Sequence, residues 1–249
     1  SNVISQLPIF TFYLPLLFVY DRIQDNTMTD TPVSTVAGIV LCGGQSQRMG
    51  TDKALLPFGD ETMIERVIRI LNRVVSPIVV VAGPATKLPP LSDSIIVTHD
   101  RQPNQGPLEG IRMGLAAVEH TATAAFVTGC DVPLLVPGFI QTLIDQLDAD
   151  EEHDVAVASE DGFLHPLAAV YRTHLIPVID ELLTAQRRRP LFLYDQVTTN
   201  PVSTDLLKKS DPQLTSLANL NQADDYFAAI KQAGLIAQPH IIEMLQNSG

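Results

Sequence analysis

VAGIVLCGGQSQRMGTDK, Val36 to Lys53, reads as a buried strand that runs into a glycine turn and then into a charged loop. The apolar run Val36–Cys42 is short, β-branched and bounded by glycine, which suits a strand better than a helix. Gly43 and Gly44 let the backbone come close to a ligand and turn successive N–H groups toward phosphate oxygens. Arg48 and Lys53 add cationic donors that can neutralise a triphosphate. No Gly-Lys-Ser/Thr opens a helix here, so this is not a P-loop, and it is not a G-x-G-x-x-G dinucleotide turn. A glycine pair alone would fit an ordinary connection with solvated charges. Arg48, Met49-Gly50 and Asp52-Lys53 in one loop after the first strand favour phosphate binding.

The rest of the chain alternates in the same manner. Thr62–Val75 places Met63, Ile64, Val67, Ile68, Leu71 and Val74 on one helical stripe. Ile78–Val81 and Ile95–Thr98 read as strands, Leu108–Val118 as a helix, and Ala124–Thr128 as a strand ending in Gly129-Cys130-Asp131. Pro137 suits the first turn of a helix reaching Leu147. Val155–Ala158 and Leu167–Tyr171 read as strands, Leu175–Ala185 and Gln222–Ala233 as helices, and Ser216–Asn219 as a late edge strand. Strands separated by helices imply parallel pairing through right-handed crossovers. The expected fold is α/β: one domain with a mostly parallel sheet flanked by helices. In such sheets ligands bind beyond the carboxyl ends of the strands. Function is therefore expected at Gly43–Lys53, Asp100–Gly110 and Gly129–Pro133.

The 249 residues suffice for one such domain, and a net charge of -12 argues against non-specific nucleic-acid binding, which needs a basic face. Two cysteines, Cys42 and Cys130, make no disulfide framework or zinc spacing and fit a reducing cytoplasm. The apolar run Leu7–Tyr20 is short for a membrane span and is interrupted by Pro8 and Pro15. It lacks the basic start and cleavage site of a signal peptide. Residues 1–35 are read as an extension outside the core domain, with the domain's own lead-in starting at Met28. The domain is expected over residues 36–235, with 236–249 as a tail or helix, and no stable membrane association.

Asp131, at the end of a central strand, is a natural magnesium ligand, since Mg2+ prefers one or two carboxylates with phosphate oxygens and water. A turn aspartate before proline is the plainer alternative; pairing with the phosphate loop favours the metal. Asp100 ends another strand and could support metal or nucleotide. Gly106-Pro107-Leu108-Glu109-Gly110-Ile111 opens a helix whose free N–H groups could face an anion or a base, although Gly-Pro is also an ordinary helix start.

These elements, in this order from about Val36 to Ala233, resemble the molybdenum cofactor guanylyltransferases. The resemblance rests on LCGGQSQRMGTDKALL, Asp100, GPLEGI, CDVP, His165-Pro166 and Asn219-Leu220-Asn221. The first element marks the wider pterin and sugar nucleotidyltransferase group. Gly43-Gly44, Asp52-Lys53, GPLEG and the Asn-x-Asn point to the guanylyl branch, since the cytidylyl branch more usually has Ala-Gly in the first turn and lacks Asn-x-Asn. The resemblance implies a Rossmann-like nucleotidyltransferase fold. It implies that Leu41, Cys42 and Gly43 hold guanine through their backbone, that Lys53 meets the GTP phosphates, and that Asp100 meets the nucleotide. Asp131 would bind nucleotide and Mg2+. Arg48, Asn219 and Asn221 match the catalytic and pterin side. Arg188, within Arg187–Arg189, falls where a basic pair could meet the pterin phosphate; a solvated helix end explains that run equally well. Cys42 stands where alanine is usual, and a backbone contact survives the change. Ala82 stands where an asparagine often contacts nucleotide, which removes a specificity contact.

The implied reaction is attack of the molybdopterin phosphate on the α-phosphorus of GTP, with pyrophosphate leaving. No base–nucleophile pair is evident, so catalysis is expected to rest on alignment and charge neutralisation by Lys53, Arg48 and magnesium. The implied partners are GTP and molybdenum-molybdopterin, extending to molybdoenzymes or their chaperones. The alternatives are a cytidylyl- or sugar-phosphate nucleotidyltransferase of the same fold and, more remotely, a non-catalytic nucleotide-binding adaptor.

Overall fold

Val36–Cys42 forms a strand hydrogen-bonded in parallel on both sides, to Ile78–Ala82 and to Ala124–Gly129. Its residues are apolar throughout because both faces are covered, as in parallel sheets generally. The computed structural model describes residues 35–43, 52–100 and 106–246. The chain divides after Val33, and every element below belongs to the unit Ser34–Gly249. In chain order the strands are β1 (Val36–Cys42), β2 (Pro57–Phe58), β3 (Glu61–Thr62), β4 (Ile78–Ala82), β5 (Ile95–His99), β6 (Ala124–Gly129), β7 (Val155–Glu160), β8 (Phe163–Arg172) and β9 (Thr199–Ser203). The helices are α1 (Met63–Leu71), α2 (Pro107–Val118), α3 (Pro137–Asp148), α4 (Ile176–Thr184), α5 (Leu191–Tyr194), α6 (Thr204–Leu207), α7 (Ala223–Gln232) and α8 (Pro239–Gln246).

Seven strands form one sheet in the order β5-β4-β1-β6-β8-β7-β9. The chain runs outward from β1 to β4 and β5, then returns to β6 on the other side of β1. That reversal opens a crevice between the carboxyl ends of β1 and β6, where open α/β sheets bind ligands. The α/β architecture and the mostly parallel sheet match the sequence reading, with two corrections. β8 is antiparallel to both β6 and β7. Asp161 and Gly162, with φ of 49° and 82°, make a two-residue turn between β7 and β8. Both turn residues have positive φ, the geometry of a tight hairpin, so no crossover helix is required. Second, Ser216–Asn219 is not an edge strand: Thr215–Leu217 is a 3-10 turn, and the edge is β9. Asp211 accounts for this, because its buried carboxylate accepts from the N–H groups of Thr215 at 3.1 Å and Ser216 at 2.8 Å and fixes a turn.

Helices cover both faces. α1 begins at Thr62 with a capping box to Glu65 and buries Met63, Ile64, Val67, Ile68, Ile70 and Leu71. With α3 it covers the face bearing Val40, Phe126 and Val170. α2 and α4 cover the face bearing Ile39, Val127 and Tyr171. Gly114 lets α2 approach β1 closely, since an added Cβ would lie 2.6 Å from Ile39 Cγ2. A third cluster joins Phe58 and Met63 to Tyr226, Ile230, Ile241 and Leu245. It fixes α7 and α8 beside the β2–β3 hairpin, so the segment expected as tail or helix is a helix packed by Ile241 and Leu245. That packing also sets the approach of residues 219–222 to the crevice. Among the described residues no helix is long and apolar enough to cross a membrane.

Candidate active site

Three chain segments meet at the carboxyl ends of β1 and β6. The described chain resumes at Asp52, and Lys53–Leu55 forms a 3-10 turn. Lys53 is largely buried and sends Nζ to Asp131 Oδ2 at 3.2 Å and to Asn221 Oδ1 at 2.9 Å. The backbone closes the same triangle, because Leu220 N donates to Asp131 O at 2.9 Å. Asp131 itself is placed by Gly129: any Cβ at Gly129 would overlap Asp131 Oδ1. A glycine is needed there so that the carboxylate can fold back over the strand end while Oδ2 faces Lys53.

Asn221 could have been a helix cap by sequence, but Gln222 is the N-cap of α7, with Asp225 completing a capping box. Asp225 Oδ2 also accepts from Asn221 N at 2.9 Å, which leaves the Asn221 side chain to Lys53. Asn219 is exposed.

A second group lies at the carboxyl end of β5. Asp100 N continues the sheet ladder to Ala82 O at 3.2 Å. Asp100 Oδ1 is buried without a hydrogen-bond partner. Its carboxylate sits over glycines: Oδ2 is 3.6 Å from a Cβ built on Gly43, and Oδ1 is 3.7 Å from one built on Gly110. Burial first, and then the charge of Glu109, push the Asp100 carboxyl above the ordinary aspartate range, against a smaller opposing effect of His99. Glu109, on the first turn of α2, is itself only 5% exposed. By sequence Glu109 stood only as a member of the GPLEGI helix start; the signal for its burial was an acidic residue among apolar neighbours in a first helical turn.

Of the residues read as a backbone cradle for a base, two already serve the sheet. Leu41 O accepts from Cys130 N at 3.1 Å and Cys42 O from Gly83 N at 2.8 Å. Gly43 is the first residue past the β1–β4 register. The Cys42 thiol is pushed well above its usual range by its hydrogen bond with Cys130, by burial, and by the charges of Cys130 and Asp131. Arg48 lies outside the described residues. Arg188 stands at the start of α2, its carbonyl 3.1 Å from a Cβ built on Gly106, and its side chain donates to Gln186 Oε1 at 2.5 Å. Arg187 stacks on Phe192, 4.4 Å from the ring centre. The structure therefore brings Lys53, Asp131 and Asn221 together and sets Asp100 beside Gly43, while Arg188 joins neither group.

His165 and Pro166 lie at the register shift between β7 and β8, where Val157 pairs with Ala169 but Ala158 pairs with His165. Pro166 O accepts from the buried Tyr171 Oη at 2.8 Å, and Tyr171 Oη lies 2.7 Å from Tyr194 Oη. His165 Nε2 is buried with Glu160 Oε2 at 3.9 Å, and burial depresses the pKa of the ring. Among the described residues no three His, Cys, Asp or Glu side chains cluster as a ready-made metal cage.

The family model of the MobA-like NTP transferase domain matches residues 38–199. The chain belongs to the MobA-like NTP transferase family. A relative from Mycobacterium avium, named a probable molybdenum cofactor guanylyltransferase, is 40% identical over 201 residues, covering 80% of this chain and 96% of its own. The molybdopterin-guanine dinucleotide biosynthesis protein A of Archaeoglobus fulgidus has the same fold, with a TM-score of 0.66 at 20% identity over 80% of this chain and 99% of its own. So has the 2-C-methyl-D-erythritol 4-phosphate cytidylyltransferase of Thermus thermophilus, with a TM-score of 0.57 at 13% identity over 79% of this chain and 98% of its own. Members of this fold thus carry names with different bases and acceptors, so the choice of substrate lies in the site and not in the sheet.

Proposed function

We propose that the chain is a molybdenum cofactor guanylyltransferase, which transfers GMP from GTP to molybdenum-molybdopterin and releases pyrophosphate. The observation that carries this reading is the Lys53–Asp131–Asn221 triangle at the β1/β6 crevice, in a chain 40% identical to a relative bearing that name. In the reaction an acceptor phosphate oxygen forms a bond to the α-phosphorus. The bond from that phosphorus to the bridging oxygen breaks, and pyrophosphate leaves with the electron pair. Lys53 carries three N–H donors, of which two are aimed at Asp131 and Asn221. The remaining donor would serve a phosphate oxygen, held in place by the other two. Arg48 would add a second cation to the same phosphates. Asp100 would meet the nucleotide beside Gly43, and Asn219 and Arg188 would serve the pterin side.

The donor set at Asp131 fits a divalent cation such as Mg2+. One partly exposed carboxylate with phosphate oxygens and water is what magnesium accepts. Asp131 would hold it, and the bound ion would offset charge on the departing pyrophosphate. We further infer a cytoplasmic setting, in which GTP is available and the free thiols Cys42 and Cys130 are reduced at rest.

The test is transfer to purified molybdenum-molybdopterin with GTP, CTP or UTP and magnesium, following both pyrophosphate and the dinucleotide product. GTP should be used with clear preference. Preference for CTP or UTP, or turnover with a sugar phosphate in place of the pterin, would overturn the assignment.

A further inference from the structure

The chain's two cysteines are 88 positions apart by number, 42 against 130, yet they fall on one rung of the sheet. The β1–β6 ladder pairs Leu41 with Gly129 in parallel, and Cys130 N extends it by donating to Leu41 O at 3.1 Å. Cys42 and Cys130 are the next pair. Both side chains face the same cluster, with Val40, Ala54 and Phe126. Cys42 is 1% exposed and Cys130 9% exposed, and neither is in a disulfide. Neighbouring strands stand about 4.8 Å apart, inside the roughly 4.4–6.8 Å that a disulfide spans between Cα atoms.

We propose that Cys42 and Cys130 form a site of reversible oxidative modification, at which a peroxide joins them in a disulfide that disables the nucleotide site. Cys130, the more exposed of the two residues, gives up its proton and attacks one peroxide oxygen. The O–O bond breaks, a sulfenic acid forms, and the released hydroxide leaves as water with that proton. Cys42 Sγ then attacks the Cys130 sulfur. The S–S bond forms, the S–O bond breaks, and the hydroxyl leaves with the Cys42 proton as a second water. The two thiols lose two electrons in all, and the peroxide gains them. A small thiol reverses the change by exchange.

The position of the pair determines the effect. Cys42 O holds Gly83 N at 2.8 Å and precedes Gly43, while Cys130 immediately precedes Asp131. A disulfide holds its Cβ atoms roughly 3.5–4.5 Å apart, less than the about 4.8 Å between neighbouring strands, so the bond pulls the two side chains together and bears on the adjoining Asp131 and its 3.2 Å contact to Lys53. An in-register disulfide therefore acts on both sides of the crevice at once. The loss of nucleotide binding rests on the function proposed above; formation of the bond does not.

The experiment treats the full chain with hydrogen peroxide, alkylates the remaining thiols in denaturant, and reads the intact mass and the peptides. GTP affinity is measured by calorimetry on reduced, oxidised and dithiothreitol-treated protein. The expected result is the loss of two hydrogens, no alkylation, a Cys42–Cys130 peptide, and GTP affinity lowered about tenfold or more and restored by dithiothreitol. Cys130→Ala, checked for folding by its thermal transition, should bind GTP like the reduced wild type, form no cross-link, and keep its affinity after peroxide. The proposal fails if both wild-type thiols stay alkylatable or oxidise singly. It fails equally if the disulfide forms without loss of affinity, or if peroxide weakens Cys130→Ala as much as wild type. Reduced wild type that does not bind GTP would instead sink the functional reading, while the mass measurement still decides the disulfide.

Discussion

Asp131→Asn keeps the shape of the strand end and removes its charge. In the resting protein the change costs little. At 3.2 Å, the attraction to Lys53 is about 1.3 kcal/mol in a water-like medium and about 5 kcal/mol at an effective dielectric of 20, before desolvation is counted. With the side chains 11% and 21% exposed, the net loss should be nearer about 1 kcal/mol, a fall in Tm of roughly 2–4 °C for a domain of this size. Turnover is the larger casualty. The carboxylate both orients Lys53 and is the proposed cation ligand, and the amide does the second task poorly. A drop of about a hundredfold or more is expected, roughly 2.7 kcal/mol of transition-state stabilisation. The assay is GMP transfer across a magnesium titration, with the thermal transition measured in parallel. The variant should need far more magnesium and still fall short of wild-type turnover. Wild-type turnover at ordinary magnesium would refute the argument; Asp131 would then only steer Lys53, and Asp100 would become the candidate cation ligand.

Asn221→Ala removes the 2.9 Å contact to Lys53 and should lower transfer about tenfold, whereas Asn219→Ala at its exposed position should weaken pterin use and leave GTP affinity unchanged; calorimetry with GTP separates the two. Asp100→Asn should weaken GTP binding but raise Tm at pH 7, because a carboxyl whose folded pKa is raised above 3.8 favours the folded state only when protonated. The advantage of the variant should shrink as pH falls through the raised pKa, and a pH series of melts would show it; a variant less stable than wild type at pH 7 would contradict the argument. Gly114→Ala forces a Cβ to 2.6 Å from Ile39 Cγ2 and should cost about 1–3 kcal/mol in urea unfolding. We also propose that residues 1–27 are dispensable: a chain starting at Met28 should show the full-length thermal transition and GTP affinity, and its aggregation would show that the boundary is wrong.

The strands β1, β4, β5 and β6 and the helices between them were legible in the sequence. β-branched runs and 3.6-residue stripes are local patterns, and local patterns survive without knowledge of neighbours. Direction of pairing is not local. β8 is buried on both faces over Ala168–Tyr171, as a parallel strand would be, so its composition could not reveal that it runs the other way. Only the Asp161-Gly162 turn could have done so. Likewise Asn221 carried a signal suited to a helix start, and which neighbouring group its amide served depended on Asp225 occupying the cap.

The sequence by itself determined that a glycine-rich, cationic loop follows the first strand and that an aspartate ends a later one. Each of those facts is set within a few residues, by turn chemistry and apolar patterning. The tertiary structure alone decided what those residues do to one another. Lys53 reaches Asp131 across 78 positions and Asn221 across 168, because the chain crosses from β5 back over β1 before laying down β6. The same reversal puts Cys42 beside Cys130. Contacts between distant segments follow from sheet order, and sheet order is fixed by how whole layers bury their faces, which no short stretch of sequence contains.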